Sequence, residues 1–233
     1  MHDAPSAIAH PAGRASARTG GVRLAGDASL LRAPLRVALV GTREPSPEAA
    51  AAAEMLACEL ARLGAVLVSG GARGIDQAAH AGALAAGGRT ICCLPHGIGY
   101  PRPDLPWAAR AEGVLLASLL PPHARPSTSS PVARNRLIAE LADAVVASEA
   151  GPASGTMHCL RAAFELGRPV FFLRMDGGPE LRALHASMAA RGAAPLEPRA
   201  FATPASAAAV AARARAFAAG ETERAAAQGD LFG

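Results

Sequence analysis

Residues 65–84, AVLVSGGARGIDQAAHAGAL, constrain the fold of this chain more than any other segment. They read as a short apolar strand at 66–68, a glycine-rich turn at 69–74 and a helix that begins near Asp76. A strand that leads through a glycine turn into a helix directs unpaired backbone N–H groups to one place, where a phosphate can bind. Arg73 adds a planar guanidinium that suits phosphate oxygens. The segment predicts phosphate binding, either of a nucleotide or of a nucleic-acid backbone.

The same alternation of strand and helix runs through the middle of the chain. Apolar stretches that read as strands occur at 35–40, 90–94, 114–119, 144–148 and 169–173, with helical patterns between them at 46–63, 134–141 and 154–166. Strands that are apolar throughout and alternate with helices indicate a mainly parallel sheet with helices on both faces. In such α/β sheets, ligands bind at the carboxyl ends of the strands. We expect the glycine turns that follow the strands to converge there.

The pattern divides the chain into four parts. Residues 1–34 are rich in Ala, Gly, Arg and Pro without periodicity, which predicts a flexible arm. The regular α/β pattern occupies residues 35–195, and a helical segment follows at 196–220. We expect residues 221–233 to form a flexible tail.

Composition narrows the function classes without choosing one. The formal net charge of +4 permits nucleic-acid binding but does not require it. The chain contains neither an apolar run long enough to span a bilayer nor a secretion-type N-terminus. Its four cysteines have neither zinc spacing nor a C-x-x-C pair. We therefore expect a cytoplasmic protein with free thiols, no metal, no cofactor and no membrane contact.

Three further short motifs are candidates for phosphate binding. Gly41-Thr42-Arg43 closes the first strand, although neither a P-loop nor a G-x-G-x-x-G motif is present. Arg134-Asn135-Arg136 opens a helix, where cations oppose the helix dipole unless an anion is nearby. Ser154-Gly155-Thr156 begins another helix with small hydroxyl residues. The alternatives are a surface ion pair for Arg43, a solvated helix end for the arginines and simple capping for the serine.

Taken in order, these motifs resemble the DprA/Smf family of DNA-processing proteins, within the wider group that includes the LOG nucleotide hydrolases. The resemblance rests on VALVGTR (37–43), VSGGARGIDQAAHAGAL (68–84), ARNRLIAELADAVVASEA (133–150) and SGTMHCLRAAFELGRPVF (154–171). It implies an extended Rossmann-like core that binds single-stranded DNA, forms a homodimer and helps to load RecA recombinase. Motifs and resemblance together give the candidate DNA- or phosphate-binding residues Arg43, Ser69, Gly70, Gly71, Arg73, Gly74, Arg134, Asn135, Arg136, Ser154, Gly155 and Thr156.

The chain departs from the family pattern at a few positions. Gly71 stands where the family usually has leucine, and Leu173-Arg174-Met175 stands where members commonly have Val-Pro-Gly. The resemblance covers the Rossmann-like core alone, without the helical domain and the winged helix that flank it in many members. The sequence therefore resembles a divergent paralogue.

The C-terminal residues suggest a second partner. Gln228, Asp230, Leu231 and Phe232 belong to a QGDLF peptide that is similar to the peptides that bind the bacterial sliding clamp. An extended peptide with Leu-Phe anchors can fill an apolar pocket on a partner. We expect this tail to be a clamp-binding segment.

Two other functions remain open. A LOG-type phosphoribohydrolase resembles this chain but needs a glutamate early in the helix that follows Gly-Thr. Here no carboxylate follows Thr156 before Glu165, so we predict no catalytic residue and no enzyme. The remaining alternative is a nucleotide-binding sensor that reports to a partner.

Overall fold

The chain builds one mixed sheet flanked by helices. The structure is a computed structural model, and it describes residues 7–8, 21–101, 105–109, 112–151, 154–174, 178–197 and 203–229. The strands of this part are β1 (Ala7–Ile8), β2 (Val22–Gly26), β3 (Arg36–Val40), β4 (Val66–Ser69), β5 (Arg89–Leu94), β6 (Val114–Ser118), β7 (Ala144–Ala147), β8 (Val170–Leu173) and β9 (Ala194–Leu196). The α-helices are α1 (Pro47–Arg62), α2 (Ile75–Ala85), α3 (Ser130–Leu141), α4 (Thr156–Glu165), α5 (Pro179–Ala190) and α6 (Pro204–Gly229), and Ala28–Arg32 and Pro106–Ala109 are short 3-10 helices.

The predicted α/β class is confirmed. The strand order is β1-β2-β6-β5-β4-β3-β7-β8-β9, and the strands from β3 to β9 pair in parallel. Only β2, against β6, and β1, against β2, pair antiparallel among the described strands. Within the described residues, no helix is both long enough and apolar enough to cross a membrane.

Each face of the sheet supports a separate apolar core. Alternate residues of β3 enter different cores, with Ala38 and Val40 in one and Val37 and Leu39 in the other. The first core packs against α3, α4 and α5, and the second packs against α1, α2 and α6. Because side chains alternate across a strand, only strands that are apolar throughout can fill both layers. This explains the continuous apolar runs in the sequence.

The strand order places a crevice in the middle of the sheet. From β3 the chain winds outward through β4, β5 and β6, and it then returns to place β7 on the opposite side of β3. The carboxyl ends of β3 and β7 therefore lie at the point where the winding reverses, which is where ligands bind in such sheets. The amide of Thr42, just after β3, donates a 2.7 Å hydrogen bond to the carbonyl of Glu149, just after β7.

The structure differs from the expectation of a flexible arm that extends to residue 34. Residues 22–26 form β2, which pairs with β6 from Arg23 opposite Ser118 to Gly26 opposite Leu115. The 3-10 helix Ala28–Arg32 then buries Leu30 and Leu31 in the core beneath α3 and α4. The arm reads as irregular because β2 is short and its partner is distant in sequence. Of residues 1–20, only Ala7–Ile8 are described, as β1.

The C-terminal segment also differs from the expected boundaries. Helix α6 continues from Pro204 to Gly229, so the backbone at Gln228 is helical where a flexible tail was expected. Residues 194–196 form the edge strand β9, which the sequence did not predict. Asp230, Leu231 and Phe232 of the clamp-like peptide lie outside the described residues.

Candidate functional site

A cavity of about 510 Å³ opens at the carboxyl ends of the central strands. Its wall combines the turn after β3, the turn before α2, the first turns of α3 and the start of α4. Those elements meet there because β3 lies between β4 and β7. The lining residues are Val40, Gly41, Thr42, Arg43, Glu44, Ala72, Asp76, Pro131, Arg134, Asn135, Ser154, Gly155, Thr156 and Cys159.

Arg134 is held in the cavity wall by a buried ion pair. Its Nη1 lies 3.3 Å from Oδ2 of Asp76, and the two side chains are 7% and 8% exposed. The same Asp76 oxygen accepts a 3.2 Å hydrogen bond from the amide of Ala72. Asp76 lies in the first turn of α2, and its carboxylate makes both of these contacts. The N-cap of that helix is Gly74. The anion that the dipole argument required for Arg134 is thus supplied by the protein itself.

The glycine turn makes room for this ion pair. A Cβ on Gly70 would lie 1.1 Å from Nη1 of Arg134, so a side chain there would displace the guanidinium. Gly71 has φ +69°, and a Cβ on it would lie 2.8 Å from Sγ of Cys92. Gly74 has φ +82°, and a Cβ on it would lie 2.5 Å from the carbonyl oxygen of Thr42. The glycines therefore serve backbone geometry and close packing.

Ser69 is buried and does not line the cavity. Its hydroxyl donates a 2.7 Å hydrogen bond to the carbonyl of Leu39 on the neighbouring strand. The structure gives this side chain a structural role between β3 and β4.

A buried histidine lies behind Arg134. His80 follows Asp76 by one turn on α2, and its Nδ1 lies 2.6 Å from the hydroxyl of Thr90. Because that hydroxyl donates its own hydrogen to the carbonyl of Leu67 at 2.9 Å, it accepts a hydrogen bond from the N–H of Nδ1. Nε2 therefore carries no proton and has no partner among the described residues. Burial, together with the charge of Arg134, lowers the pKa of His80 to about 3.

Two of the predicted arginines lie at the solvent-facing edge. Arg43 is exposed and lines the cavity directly. Arg73 is 75% exposed, and its Nη2 lies 3.9 Å from the equally exposed carboxylate of Glu44. An ion pair of this length between exposed groups contributes little and is easily exchanged for another anion. Among the described residues at this edge, these two side chains are the cations that remain available to a ligand.

Asn135 and Arg136 point in different directions from the same helix. The side-chain amide of Asn135 donates a 2.8 Å hydrogen bond to the carbonyl of Gly155, which ties α3 to the start of α4. Arg136 lies outside the cavity lining and pairs with Glu140 at 2.9 Å and Glu165 at 3.0 Å. Hydrogen bonding to Glu165, the largest contribution, raises the pKa of Arg136. The structure therefore separates Arg136 from the other candidates.

The start of α4 forms the remaining wall. Ser154, Gly155 and Thr156 all line the cavity, and no side chain caps the first turn of the helix. The hydroxyl oxygen of Ser154 is buried, and it has no hydrogen-bond partner in the described part of the chain. Cys159 lies one turn further on, and burial raises the pKa of its thiol to about 12, so it is not a nucleophile. The wall offers helix N–H groups, a hydroxyl and no reactive group.

A second cavity of about 530 Å³ adjoins the first. Thr42 and Glu44 line both cavities, and the second is also lined by Glu149 and Glu180. It contains no basic residue among its described lining residues, whereas Arg43 and Arg134 line the first. The first cavity therefore balances its two arginines against Glu44 and Asp76, whereas the charged residues among the described lining of the second are all acidic. No group of three or more potential metal ligands occurs in the described segments.

The sequence did not predict the ion pair of Arg134 with Asp76 or the acidic second cavity beside the first. Asp76 lies 58 residues from Arg134, so no local spacing signals their contact. Glu149 follows β7 in a loop, and Glu180 lies in the first turn of α5. The pairing of Arg136 with Glu140, by contrast, follows the i, i+4 spacing of a helix and was readable.

The sequence matches the family described as DNA recombination-mediator protein A over residues 22–197. The DNA processing protein DprA of Bacillus subtilis (strain 168) is 36% identical over 149 residues, which cover 63% of this chain and 50% of the relative. The chain therefore spans about half of the length of that relative.

Two solved structures resemble the fold over most of this chain. DNA processing protein A from Helicobacter pylori, described for its single-stranded DNA binding mode, has a TM-score of 0.73 at 30% identity and covers 84% of this chain and 92% of its own. The X-ray structure of DprA from Streptococcus pneumoniae has a TM-score of 0.72 at 30% identity and covers 81% of this chain and 67% of its own. The family match extends from the start of β2 past β9 and includes every cavity-lining residue, so the chain belongs to the DNA recombination-mediator protein A family.

Proposed function

We propose that this protein binds single-stranded DNA without sequence preference, in the cytoplasm, and acts in DNA recombination, repair or uptake. The observation that carries the proposal is the cavity at the central crevice, where Arg43 and the start of α4 face the same space. Exposed arginines and helix N-termini contact phosphates and carry no base information. The single-stranded DNA binding described for the Helicobacter pylori relative supports this choice of ligand.

Few aromatic side chains are available for stacking with bases. Phe, Trp and Tyr make up 3% of the chain, and Trp107 packs on His80 with ring centroids 4.5 Å apart. A base-stacking surface, such as an OB-fold presents, needs exposed aromatic rings. We therefore assign the binding energy to backbone electrostatics at Arg43, Arg73 and the cavity.

A free nucleotide is the second candidate ligand. The cavity, at about 510 Å³, falls within the range of pockets that hold small molecules. In this reading the protein is a nucleotide sensor. A LOG-type hydrolase is not proposed, because Glu165 lies in the last turn of α4 and binds Arg136.

Three protein partners belong to the proposal. We propose RecA recombinase, which would receive the bound strand, and a second copy of this chain in a homodimer. The sliding clamp is proposed for the tail, with Gln228 leaving helix α6 so that the peptide can extend. Retention of the wild type, but not of the Leu231→Ala/Phe232→Ala variant, on immobilised clamp would support this contact, and equal retention would reject it.

Oligonucleotide binding tests the proposed function. Fluorescence anisotropy with a labelled single-stranded oligonucleotide should show saturable binding that Arg43→Ala and Arg73→Ala each weaken. Arg89→Ala is the matched control, because Arg89 is exposed at the amino end of β5, on the opposite edge of the sheet. Equal affinity of all three variants would contradict the assignment of the site. Displacement of the oligonucleotide by micromolar nucleoside monophosphate would favour the sensor.

A further inference from the structure

The two adjoining cavities differ in what they can accept. Glu44 lies at their shared boundary, and its carboxylate is 87% exposed. On one side of it lie Arg43, Arg134 and the start of α4, and on the other lie Glu149 and Glu180. A chain of phosphates that entered the first cavity would have to pass three carboxylates to continue into the second.

The first cavity contains polar groups that lack partners. Nε of Arg134 and Oγ of Ser154 are both buried without a hydrogen bond among the described residues. A buried polar group without a partner is unfavourable, so these groups favour a ligand that satisfies them. Arg134 is 93% buried, and Ser154 directly precedes Gly155, the N-cap of the uncapped helix α4. A rotation of Ser154 about χ1 would present its hydroxyl to an anion in the cavity that it lines. An N–H donor, a hydroxyl and a helix N-terminus together suit a phosphate oxygen.

The second cavity opposes any continuation of the strand. Glu180 is exposed in the first turn of α5, where the helix dipole favours its negative charge. Oε2 of Glu149 accepts a 2.7 Å hydrogen bond from the amide of Ser46, which fixes that carboxylate beside the boundary. Carboxylates in the second cavity repel a polyanion that enters it, and they repel a strand that ends in the first cavity much less. A strand can reach the cavity from the side of Arg73, but the second cavity offers it no favourable path onward.

We propose that the cavity binds a terminal phosphomonoester, so that the protein recognises the phosphorylated end of a single strand. A phosphomonoester carries about −1.5 to −2 charges at neutral pH, against −1 for a phosphodiester within the strand. The end group also presents three free oxygens where the internal group presents two. The inference rests on the proposed binding of single-stranded DNA and adds where along the strand the cavity binds.

The test compares strands of one length and sequence that differ only at their ends. The ligands are a 5′-phosphorylated strand, a 3′-phosphorylated strand, a strand with two hydroxyl ends and a closed circle. We expect one phosphorylated strand to bind about tenfold more tightly than the hydroxyl strand, since charge-assisted hydrogen bonds gain strength with the added charge. Which of the two binds more tightly defines the polarity of the bound strand.

Two variants separate the end group from the rest of the strand. Ser154→Ala should weaken binding of the phosphorylated strand more than binding of the hydroxyl strand, and so remove most of the tenfold preference. Glu180→Gln should raise the affinity for the circle, because it removes one of the repelling carboxylates. Glu48→Gln is the matched control, since Glu48 is exposed in the first turn of α1 and lines neither cavity.

The protonation of the end group provides an independent readout. The second pKa of a phosphomonoester is about 6, so the preference should shrink from pH 7.5 to pH 5, while binding of the circle should not follow that curve. A nucleoside monophosphate could supply the same phosphomonoester group. If it competes with the phosphorylated strand, and if Ser154→Ala weakens both ligands to the same extent, a free nucleotide also occupies the cavity. Equal binding of circle and phosphorylated strand would overturn the inference and leave the proposed function intact. If no strand binds, both fall.

Discussion

Asp76 neutralises Arg134 at the wall of the cavity, with Oδ2 of the aspartate 3.3 Å from Nη1 of the arginine. Both side chains are more than nine-tenths buried, so each depends on the other for a counter-charge. Because Arg134 is already paired, its main contribution to the cavity is a set of fixed hydrogen-bond donors. The positive charge that attracts an anion comes from Arg43 and Arg73. The ion pair therefore divides the predicted arginines into a positioned donor and exposed attractors.

Replacing Asp76 with asparagine should destabilise the fold strongly. Asparagine keeps the shape and can still accept from the amide of Ala72, but it leaves the charge of Arg134 buried and unpaired. Removing one partner of a buried pair costs about 3–5 kcal/mol, and the retained hydrogen bond places Asp76→Asn near the lower value. Urea unfolding measures the change, with Glu48→Gln as the surface control. An unchanged midpoint would contradict the burial of this pair.

Gly70→Ala should disturb the same pair from the opposite side. The added Cβ would lie 1.1 Å from Nη1 of Arg134, so the guanidinium has to move away from Asp76. We expect a loss of about 1–3 kcal/mol of unfolding free energy, as for overpacking, together with weaker oligonucleotide binding. Gly151→Ala is the matched control, because a Cβ there meets no atom within 4 Å. Equal stability of the two variants would show that Arg134 does not occupy this position.

The fold and the location of the site were largely readable from the sequence. Strand β3 is apolar throughout because Ala38 and Val40 fill one core and Val37 and Leu39 fill the other, and this pattern predicts a doubly covered parallel sheet. The parallel arrangement then fixes which ends of the strands share an edge.

Contacts between distant segments could not be read in this way. The partner of β2 begins at Val114, and the strand itself has only five residues, so the segment resembles an irregular arm. The sequence predicts a cationic start of α3, but carboxylates from distant segments pair with its arginines. Asp76 lies 58 residues from Arg134, and Glu165 lies 29 residues from Arg136. Charges along a sequence indicate a binding site only after their partners in space are known.

The free energy of unfolding should fall in mild acid because of His80. Burial and the nearby Arg134 lower its pKa in the folded protein from 6.5 to about 3. Below pH 6.5 the unfolded chain binds a proton that the folded protein excludes, so stability is complete above that pH and declines by about 1.4 kcal/mol per pH unit towards pH 3. Urea titrations at pH 7, 6 and 5 should show this slope, and His80→Gln should reduce it. A folded-state imidazole resonance of His80 that titrates near pH 6.5 would refute the prediction.

Thiol labelling should distinguish one cysteine from the rest. Cys58 is half-buried in the groove between α1 and α2, whereas Cys92, Cys93 and Cys159 are buried. Burial raises the pKa of Cys159 to about 12 and that of Cys93 well above its usual value, so neither forms the reactive thiolate at pH 8. A disulfide reagent should modify Cys58 rapidly and the others only on unfolding. Cys58→Ser should abolish the rapid phase, and a rapid phase that survives would be inconsistent with this burial.

The salt dependence of DNA binding should reflect the exposed arginines alone. For single strands, the logarithm of affinity falls against the logarithm of salt concentration with a slope of about −0.7 per neutralised phosphate. Arg134 and Arg136 are already paired with carboxylates, so Arg43 and Arg73 give an expected slope of about −1.4 where four free arginines would give about −2.8. Anisotropy titrations between 50 and 200 mM salt measure it, and Arg43→Gln should reduce its magnitude by about 0.7 while Arg89→Gln leaves it unchanged. A slope near −3 would mean that the carboxylates release both paired arginines when DNA binds.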